Sequence, residues 1–309
     1  MDVHCRGMTP LFESYKEFIP AFDHFQASLR EPIPTHLRIN TLKADVDRVR
    51  GMLKEKGFEI TSMYPLEPTL ILTPGISAPG NLLEYFLGYI HPQALTSCLA
   101  ALILNPRPGS YVLDMCAAPG GKTSHMAQLM GNTGLIVANE LYASRHVPLG
   151  HTLARLGVTN CVITSYQAQQ FPLRTKFDYV LADVPCSGEG TFRRIHSRLQ
   201  YRETEDKAFL PDLQKKILTR GYQALKRGGF LLYSTCTYNP DENEGVVSHL
   251  LEKFDAEILP IHADTLELEE GVSQWRDKRY DERVKGAARF YPHRINSVGF
   301  FMARIRKPR

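Results

Sequence analysis

No stretch of the 309-residue sequence approaches the roughly 18 uninterrupted apolar residues that a membrane-crossing helix needs, so a helical membrane protein is not expected. The opening MDVHCRGMTPLFESYKEF carries charges early and lacks the apolar run and small-residue cleavage site of a secretory signal, and a soluble, cytoplasmic protein is expected. Cysteine is sparse. Cys5, Cys98, Cys116, Cys161, Cys186 and Cys236 include no C-x-x-C pair, which excludes a disulfide framework and points to free thiols. Internal repeats and low-complexity linkers are absent. With 43% hydrophobic and 23% charged residues, the composition is that of a globular protein with a sizeable core, in one large domain or in a medium and a small one.

Excess charge of one sign is small overall, a net +4, but it is unevenly placed. Residues 1–90 hold 9 basic against 11 acidic side chains, so the whole excess lies beyond them. It concentrates from Thr191 to Arg227, with 10 basic and 4 acidic residues, and from Arg276 to Arg309, with 11 and 3, interleaved with Tyr280, Phe290 and Tyr291. Basic residues among aromatics can follow phosphates and stack bases, although a solvated helix face has the same composition.

Periodicity changes near residues 90–100. Before it, a helical opening, a short extended run Leu37–Asn40, an amphipathic stretch Ala44–Lys56 stopped by Gly57, and a second extended run Thr69–Leu72 suggest a small α+β module. After it, strands and helices alternate, the pattern of a parallel sheet covered on both faces. The expected strands are Tyr111–Met115, Leu135–Asn139, Cys161–Ser165, Phe177–Val184 and Phe230–Ser234; their continuous apolar character fits burial on both sides. Helices are expected at Gly121–Met130, Ser144–Leu156, Asp212–Lys226 and Asp241–Phe254. Two later runs, Ala256–Ile261 and Gly299–Ile305, are expected to close the sheet as an antiparallel pair.

The first of these strands runs into Cys116-Ala117-Ala118-Pro119-Gly120-Gly121-Lys122-Thr123, which opens a helix. A P-loop does not fit, because position 116, where it requires glycine, is cysteine, and the G-x-G-x-x-G pattern does not fit either. What remains is a small-residue loop at a helix N-terminus followed by an acid, Glu140, at the end of the next strand, where a carboxylate can accept both hydroxyls of a ribose. Two further loops, Pro185-Cys186 and Thr235-Cys236, follow strand carboxyl ends and face the same rim. For Cys98 and Cys161 the expected role is that of a small buried hydrophobe. Cys186 and Cys236 are 50 residues apart without a matching histidine, so no zinc site is expected.

The strings LDMCAAPGGKT, ADVPCSGEGT and YSTCTYNPDENE, in this order, closely resemble the Sun/NSUN-type RNA 5-methylcytosine methyltransferases, which use S-adenosylmethionine. LRINTLK, GYIHPQALTS and ARFYPHRINSVGFFMARIRK resemble family segments as well, so the likeness covers about residues 30–309. It implies an α/β fold: a Rossmann-like class I methyltransferase sheet, mostly parallel with the last strand antiparallel, over residues 93–309. A small RNA-presenting α+β module carrying Arg38 and Asn40 would occupy residues 1–92.

The resemblance assigns the nucleophile to Cys236, which would add to carbon 6 of cytosine and activate carbon 5, while Cys186 would remove the carbon-5 proton and release the product. Asp183 would hold N3 and the exocyclic amine, with Lys122 between cofactor loop and substrate. The implied cofactor site comprises Cys116, Ala117, Ala118, Pro119, Gly120, Gly121, Lys122, Glu140, Arg145, Gln167 and Asp183. Gln167 stands where the family commonly has an acid, and its carbonyl is expected to accept from the adenine amine. Arg193, Arg194, Arg198 and the basic terminal segment become expected phosphate contacts, with the RNA offering an unpaired or flipped cytosine. Ribosomal or transfer RNA, a monomeric protein and no metal complete the expectation. The competing readings are a noncatalytic RNA-binding or assembly factor that kept the fold, and a cysteine-dependent hydrolase, for which no G-x-S-x-G or Cys/His signature exists.

Overall fold

The computed structural model describes residues 11–193, 208–263 and 265–309. A 3-10 turn at Glu13–Tyr15 and helix α1 (Phe22–Ser28) open the described chain. Strands β1 (His36–Ile39), β2 (Thr61–Ser62), β3 (Leu70–Leu72) and β4 (Ile90–Pro92) form an antiparallel sheet in the order β2-β3-β1-β4. Helix α2 (Val46–Glu55) covers it, and the short α3 (Leu83–Phe86) precedes β4. Asp45 starts α2 by accepting from the backbone N–H groups of Asp47 and Arg48, and Val49 and Leu53 face the buried side of the sheet beside Leu37, Ile39 and Ile71.

The larger sheet begins after α4 (Leu95–Leu104). Its strands β5 (Tyr111–Asp114), β6 (Leu135–Asn139), β7 (Cys161–Thr164), β8 (Phe177–Asp183) and β9 (Leu225–Thr235) alternate with helices α5 (Gly121–Leu129), α6 (Ala143–Arg155) and α7 (Leu210–Ala224). After α8 (Glu244–Lys253) come β10 (Glu257–Leu259), β11 (Glu269–Glu270), a hairpin β12 (Gln274–Trp275) and β13 (Lys278–Arg279), then β14 (Ala288–Phe290) and β15 (Phe300–Arg306). The order is β11-β14-β15-β9-β8-β5-β6-β7; β5 to β9 are mutually parallel, and β15 joins β9 antiparallel with β10 on it. Class I methyltransferase architecture of this kind is what the sequence implied. Two apolar clusters bury the two sheet faces, one around Val180, Leu231 and Val247, the other around Val112, Ile136 and Leu232.

Among the boundaries that differ from the sequence reading, two have a plain local cause. Helix α7 stops at Ala224 because Leu225 already pairs with Phe177, and residues Lys226–Gly229 bulge out before Phe230 pairs with Tyr179. Helix α8 starts at Glu244 because Asn239 to Asn243 make a tight turn, with Glu242 N–H on the Asn239 carbonyl and Asn243 N–H on that of Pro240. Among the described residues no helix is long and apolar enough to cross a membrane.

The small sheet meets the larger body through buried polar contacts. Arg38 is fully buried and donates to Gln93 Oε1 (3.0 Å), Ser124 Oγ (2.9 Å) and Gln128 Oε1. Asn40 donates to the carbonyls of Gly88 and Leu156. Both residues of the module expected to present RNA thus turn inward, tying β1 and the residue after it to helices α5 and α6. The segment before β1 packs elsewhere: Phe12, Tyr15, Phe22 and Phe25 gather against Tyr238, Trp275 and Tyr291.

Candidate active site

Because β5, β8 and β9 are parallel neighbours, the loops at their carboxyl ends share one rim. They border a cleft of about 780 Å³ lined by Asp114, Cys116, Ala117, Ala118, Pro119, Gly121, Lys122, Arg145, Asp183, Thr191 and Cys236. Ile33 to His36, His91 to Ala94, Ser97, Val298 and Phe300 line it as well, with His91 and Gln93 close against Gly121 of the loop.

Cys186 and Cys236 meet there. Their Sγ atoms are 3.4 Å apart, and the Cys236 N–H points to Cys186 Sγ at 3.4 Å. Cys236 lines the cleft, and Cys186 is not among the lining residues. The hydrogen bond with Cys236, then burial, push the Cys186 thiol well above its usual range. Glu242 braces the Cys186 loop by accepting from Ser187 N–H and from Gln214, while Asn243 holds the Cys236 loop through Thr235 Oγ1 and the Thr237 carbonyl.

Lys122, one residue into α5, reaches Asp183 at the end of β8: Nζ to Oδ2 is 2.7 Å, and Ser234 donates to Oδ1 at 2.7 Å. Burial works against the Lys122 charge, yet the Asp183 carboxylate outweighs it and the ammonium is held above its usual range, with Cys236 contributing in the same direction. The ammonium also lies 5.3 Å from the Phe300 ring centre. Asp114, fully buried under the loop, accepts from Thr123 Oγ1 (2.7 Å) and Cys116 N–H (3.4 Å). Burial raises its carboxyl to about 7, with the Asp183 charge adding to the shift and the Thr123 hydrogen bond opposing it.

The glycine loop is shaped by close packing. Gly120 sits at φ +99°, and a Cβ there would stand 3.0 Å from Leu149 Cδ1. Helix α5 begins without a side-chain cap. Arg145 links the loop to the next strand: it donates to the Ala118 carbonyl at 2.8 Å and pairs with Glu140 at 3.2 Å.

Of the residues singled out from the sequence, Cys116 to Pro119, Gly121, Lys122, Arg145, Asp183 and Cys236 line one cleft. Gly120 lies behind the loop against α6, and Glu140 is buried behind Arg145 while also accepting from Tyr142 N–H. Gln167 is exposed, with its carbonyl accepting from Gln169 at 2.9 Å. Arg193 is corrected as a phosphate contact: it is 3% exposed and donates to the carbonyls of Glu31, Pro32 and Ser297 and to Asn296 Oδ1. Arg194 and Arg198 lie outside the described residues. Cys98 is fully buried, whereas Cys161 is only partly so. Asp114, His91, Phe300, Glu189 and Glu242 were missed, although all fall inside quoted motif segments; in one dimension nothing separates a loop-bracing acid from an exposed one.

Residues 101–306 match the family model for the 16S rRNA methyltransferase RsmB/F. The sequence is 37% identical over 290 residues to the tRNA (cytosine(49)-C(5))-methyltransferase of Pyrococcus abyssi, covering 93% of this chain and 92% of that protein. It is 37% identical over 282 residues to the human 28S rRNA (cytosine(4447)-C(5))-methyltransferase, covering 89% of this chain but 34% of the longer relative. A solved structure of a methyltransferase homolog protein from Pyrococcus horikoshii superposes with a TM-score of 0.85 at 34% identity, covering 97% of this chain and 96% of that one.

Proposed function

The chain belongs to the RsmB/F family and is an RNA (cytosine-5-)-methyltransferase that uses S-adenosylmethionine; on that premise we propose that it works through a covalent adduct between Cys236 and its target cytosine. The substrate RNA is ribosomal or transfer RNA, the two classes its relatives' names carry.

The cleft fits the methyl donor. Its floor is a loop of small residues at the uncapped start of α5, and Arg145 and the buried Glu140 stand at the end of the second strand. Cys116 to Gly121, Lys122, Arg145 and Asp183 would hold it, with Glu140 acting through Arg145 and Gln167 at the outer edge. Bound there, S-adenosylmethionine supplies an electrophilic methyl carbon.

The remaining chemistry belongs to the protein. Carbon 5 of cytosine is a weak nucleophile, and a Cys236 Sγ–C6 bond frees the C5=C6 electron pair for attack. The Lys122 ammonium favours the thiolate that must form this bond. Asp183, a carboxylate that only accepts, holds the exocyclic amine and the N3–H that forms as N3 takes a proton from solvent on addition, a proton returned to solvent when Cys236 leaves. Once carbon 5 carries the methyl group, loss of its proton restores C5=C6 and expels Cys236. Cys186, 3.4 Å from the leaving sulfur, is the base, directly or through a water: its thiol proton passes to solvent first, and the raised proton affinity of its sulfur makes the resulting thiolate a strong base. That pairing, with Cys236 on the cleft and Cys186 behind it, is the observation that carries the reading. Residues 1–92 present the RNA to residues 93–309, since His36 and His91 line the same cleft as the cofactor loop.

The test is methyl transfer from labelled S-adenosylmethionine to RNA lacking endogenous modification, separated into ribosomal and transfer pools, beside Cys236→Ala. Label recovered as 5-methylcytosine in one pool and lost in the variant is expected. No label in either pool, with donor binding intact, would favour the noncatalytic assembly factor.

A further inference from the structure

Glu189 follows Cys186 by three residues, yet its carboxylate is bonded to the other cysteine loop. Oε2 accepts from the Thr237 hydroxyl at 2.8 Å and the Tyr238 N–H at 3.1 Å, the two residues after Cys236. Oε1 accepts from the Tyr15 hydroxyl at 2.9 Å, across 174 positions of sequence. All four residues are buried. Ser187 Oγ and Thr237 Oγ1 are 2.6 Å apart; the one Thr237 proton is directed at Glu189, so Ser187 is the donor. Gly190 N–H donates to the Cys236 carbonyl at 2.8 Å, and a Cβ on Gly190 would lie 2.2 Å from the Gly299 carbonyl oxygen, which holds the turn against β15.

Three donors converge on one carboxylate, and only an acceptor with two oxygens satisfies them. An amide in its place must turn its NH₂ toward a donor, either the Tyr15 hydroxyl or the Thr237–Tyr238 pair. Burying an acid here is costly without those bonds, and burial does push the Glu189 carboxyl upward against the pull of its partners. The expense is concentrated at the one place where the two loops must keep their sulfur atoms in register.

We propose that Glu189 is a positioning residue that sets the register of the Cys236 loop against the Cys186 loop, and that Tyr15 ties this register to the N-terminal segment. Its catalytic consequence rests on the two-cysteine reading above; its geometric content does not.

The test therefore has two arms. In the first, the full-length protein, without RNA or methyl donor, is equilibrated with reduced and oxidised glutathione, and the Cys186–Cys236 disulfide is measured by peptide mass mapping. Two thiols give up two electrons and two protons, and one glutathione disulfide becomes two glutathione molecules. In the second, steady-state methylation gives kcat and KM. Displacing one loop by a fraction of an ångström is expected to lower the effective molarity of the thiol pair about 10-fold or more in Glu189→Gln, and to lower kcat about 30-fold with KM for RNA within about 3-fold. Tyr15→Phe should lower both quantities by about 2- to 5-fold. A folded Glu189→Gln protein with an unchanged effective molarity overturns the positioning role, and a lowered molarity with unchanged kcat overturns its link to catalysis. If Glu189→Gln does not fold, Tyr15→Phe and Thr237→Val are read by the same criteria. If the wild-type protein methylates no RNA, the disulfide arm alone decides the positioning role.

Discussion

Lys122 Nζ and Asp183 Oδ2 lie 2.7 Å apart although 61 positions separate them in sequence. The pair joins the first turn of α5 to the end of β8, and Ser234 at the end of β9 completes the set. Helix α5 and the end of β8 thus deliver a cation and a carboxylate to the cleft, and the neutral Ser234 hydroxyl of β9 braces the carboxylate from behind. The cation pairs with the carboxylate and lines the same cleft as Cys236.

Lys122→Met should keep the loop's packing while removing the only cation paired with Asp183 among the described residues. Removing a preorganised charge typically costs 10²–10³ in turnover, so kcat is expected to fall by roughly 100-fold or more. Asp183→Asn should fall by a similar factor, since an amide cannot hold the protonated N3 as a carboxylate does. Affinity for S-adenosylhomocysteine, measured by calorimetry, should change less than turnover in both. Turnover within about 3-fold of wild type in Asp183→Asn contradicts the assigned role.

The two cysteines should separate cleanly. Cys236→Ala is expected to abolish both methylation and the covalent protein–RNA species. Cys186→Ala is expected to accumulate that species, visible as a band that survives denaturing electrophoresis, because addition still occurs and release does not. A covalent species that persists in Cys236→Ala would reverse the assignment.

Asp114 provides a pH dependence of stability. Its native carboxyl is raised to about 7 by burial, whereas the unfolded chain loses that proton near 3.9. Between these values the native state binds more protons than the unfolded state, so this group's contribution is full below about 4, declines as pH rises towards 7, and is level above. Asp114→Asn keeps an acceptor for Cys116 N–H and removes the titration. The difference in unfolding free energy between wild type and variant should therefore fall from pH 4 to 7, at about 1.4 kcal/mol per pH unit in the steepest part. Parallel denaturation curves across that window would refute it.

Arg38 is a buried guanidinium whose hydrogen-bond partners are all neutral, and burial lowers it to about 10. Arg38→Met should strand Gln93, Gln128 and Ser124 at the junction of the two sheets and cost about 2–4 kcal/mol. For a chain this size that corresponds to a melting point lower by roughly 3–6 °C. A loss below about 0.5 kcal/mol would show that the junction repacks around water.

Much of the larger sheet was legible in one dimension, for a physical reason. Strands buried on both faces read as unbroken apolar runs, and Leu135–Asn139 was located residue for residue. Cys116 to Lys122, Cys186 and Cys236 could be placed on one rim because parallel strands present all their carboxyl ends to the same side. Local chemistry sufficed there, since backbone topology follows from short-range pattern and ordered motifs.

Charged side chains escaped that logic. Arg193 reads as a phosphate contact and Arg38 as part of an RNA-presenting module, yet both are buried and donate to uncharged oxygens. Glu189 carries no signal of its own within its motif, yet it accepts a hydrogen bond from Tyr15 across 174 positions of sequence. An arginine or glutamate can be solvated or buried with equal local plausibility; what decides is whether enough partners converge on it to replace water. Those partners come from distant segments, so the 3.4 Å separation of Cys186 and Cys236 sulfur atoms, and the bonds that hold it, exist only once the loops have been folded against each other.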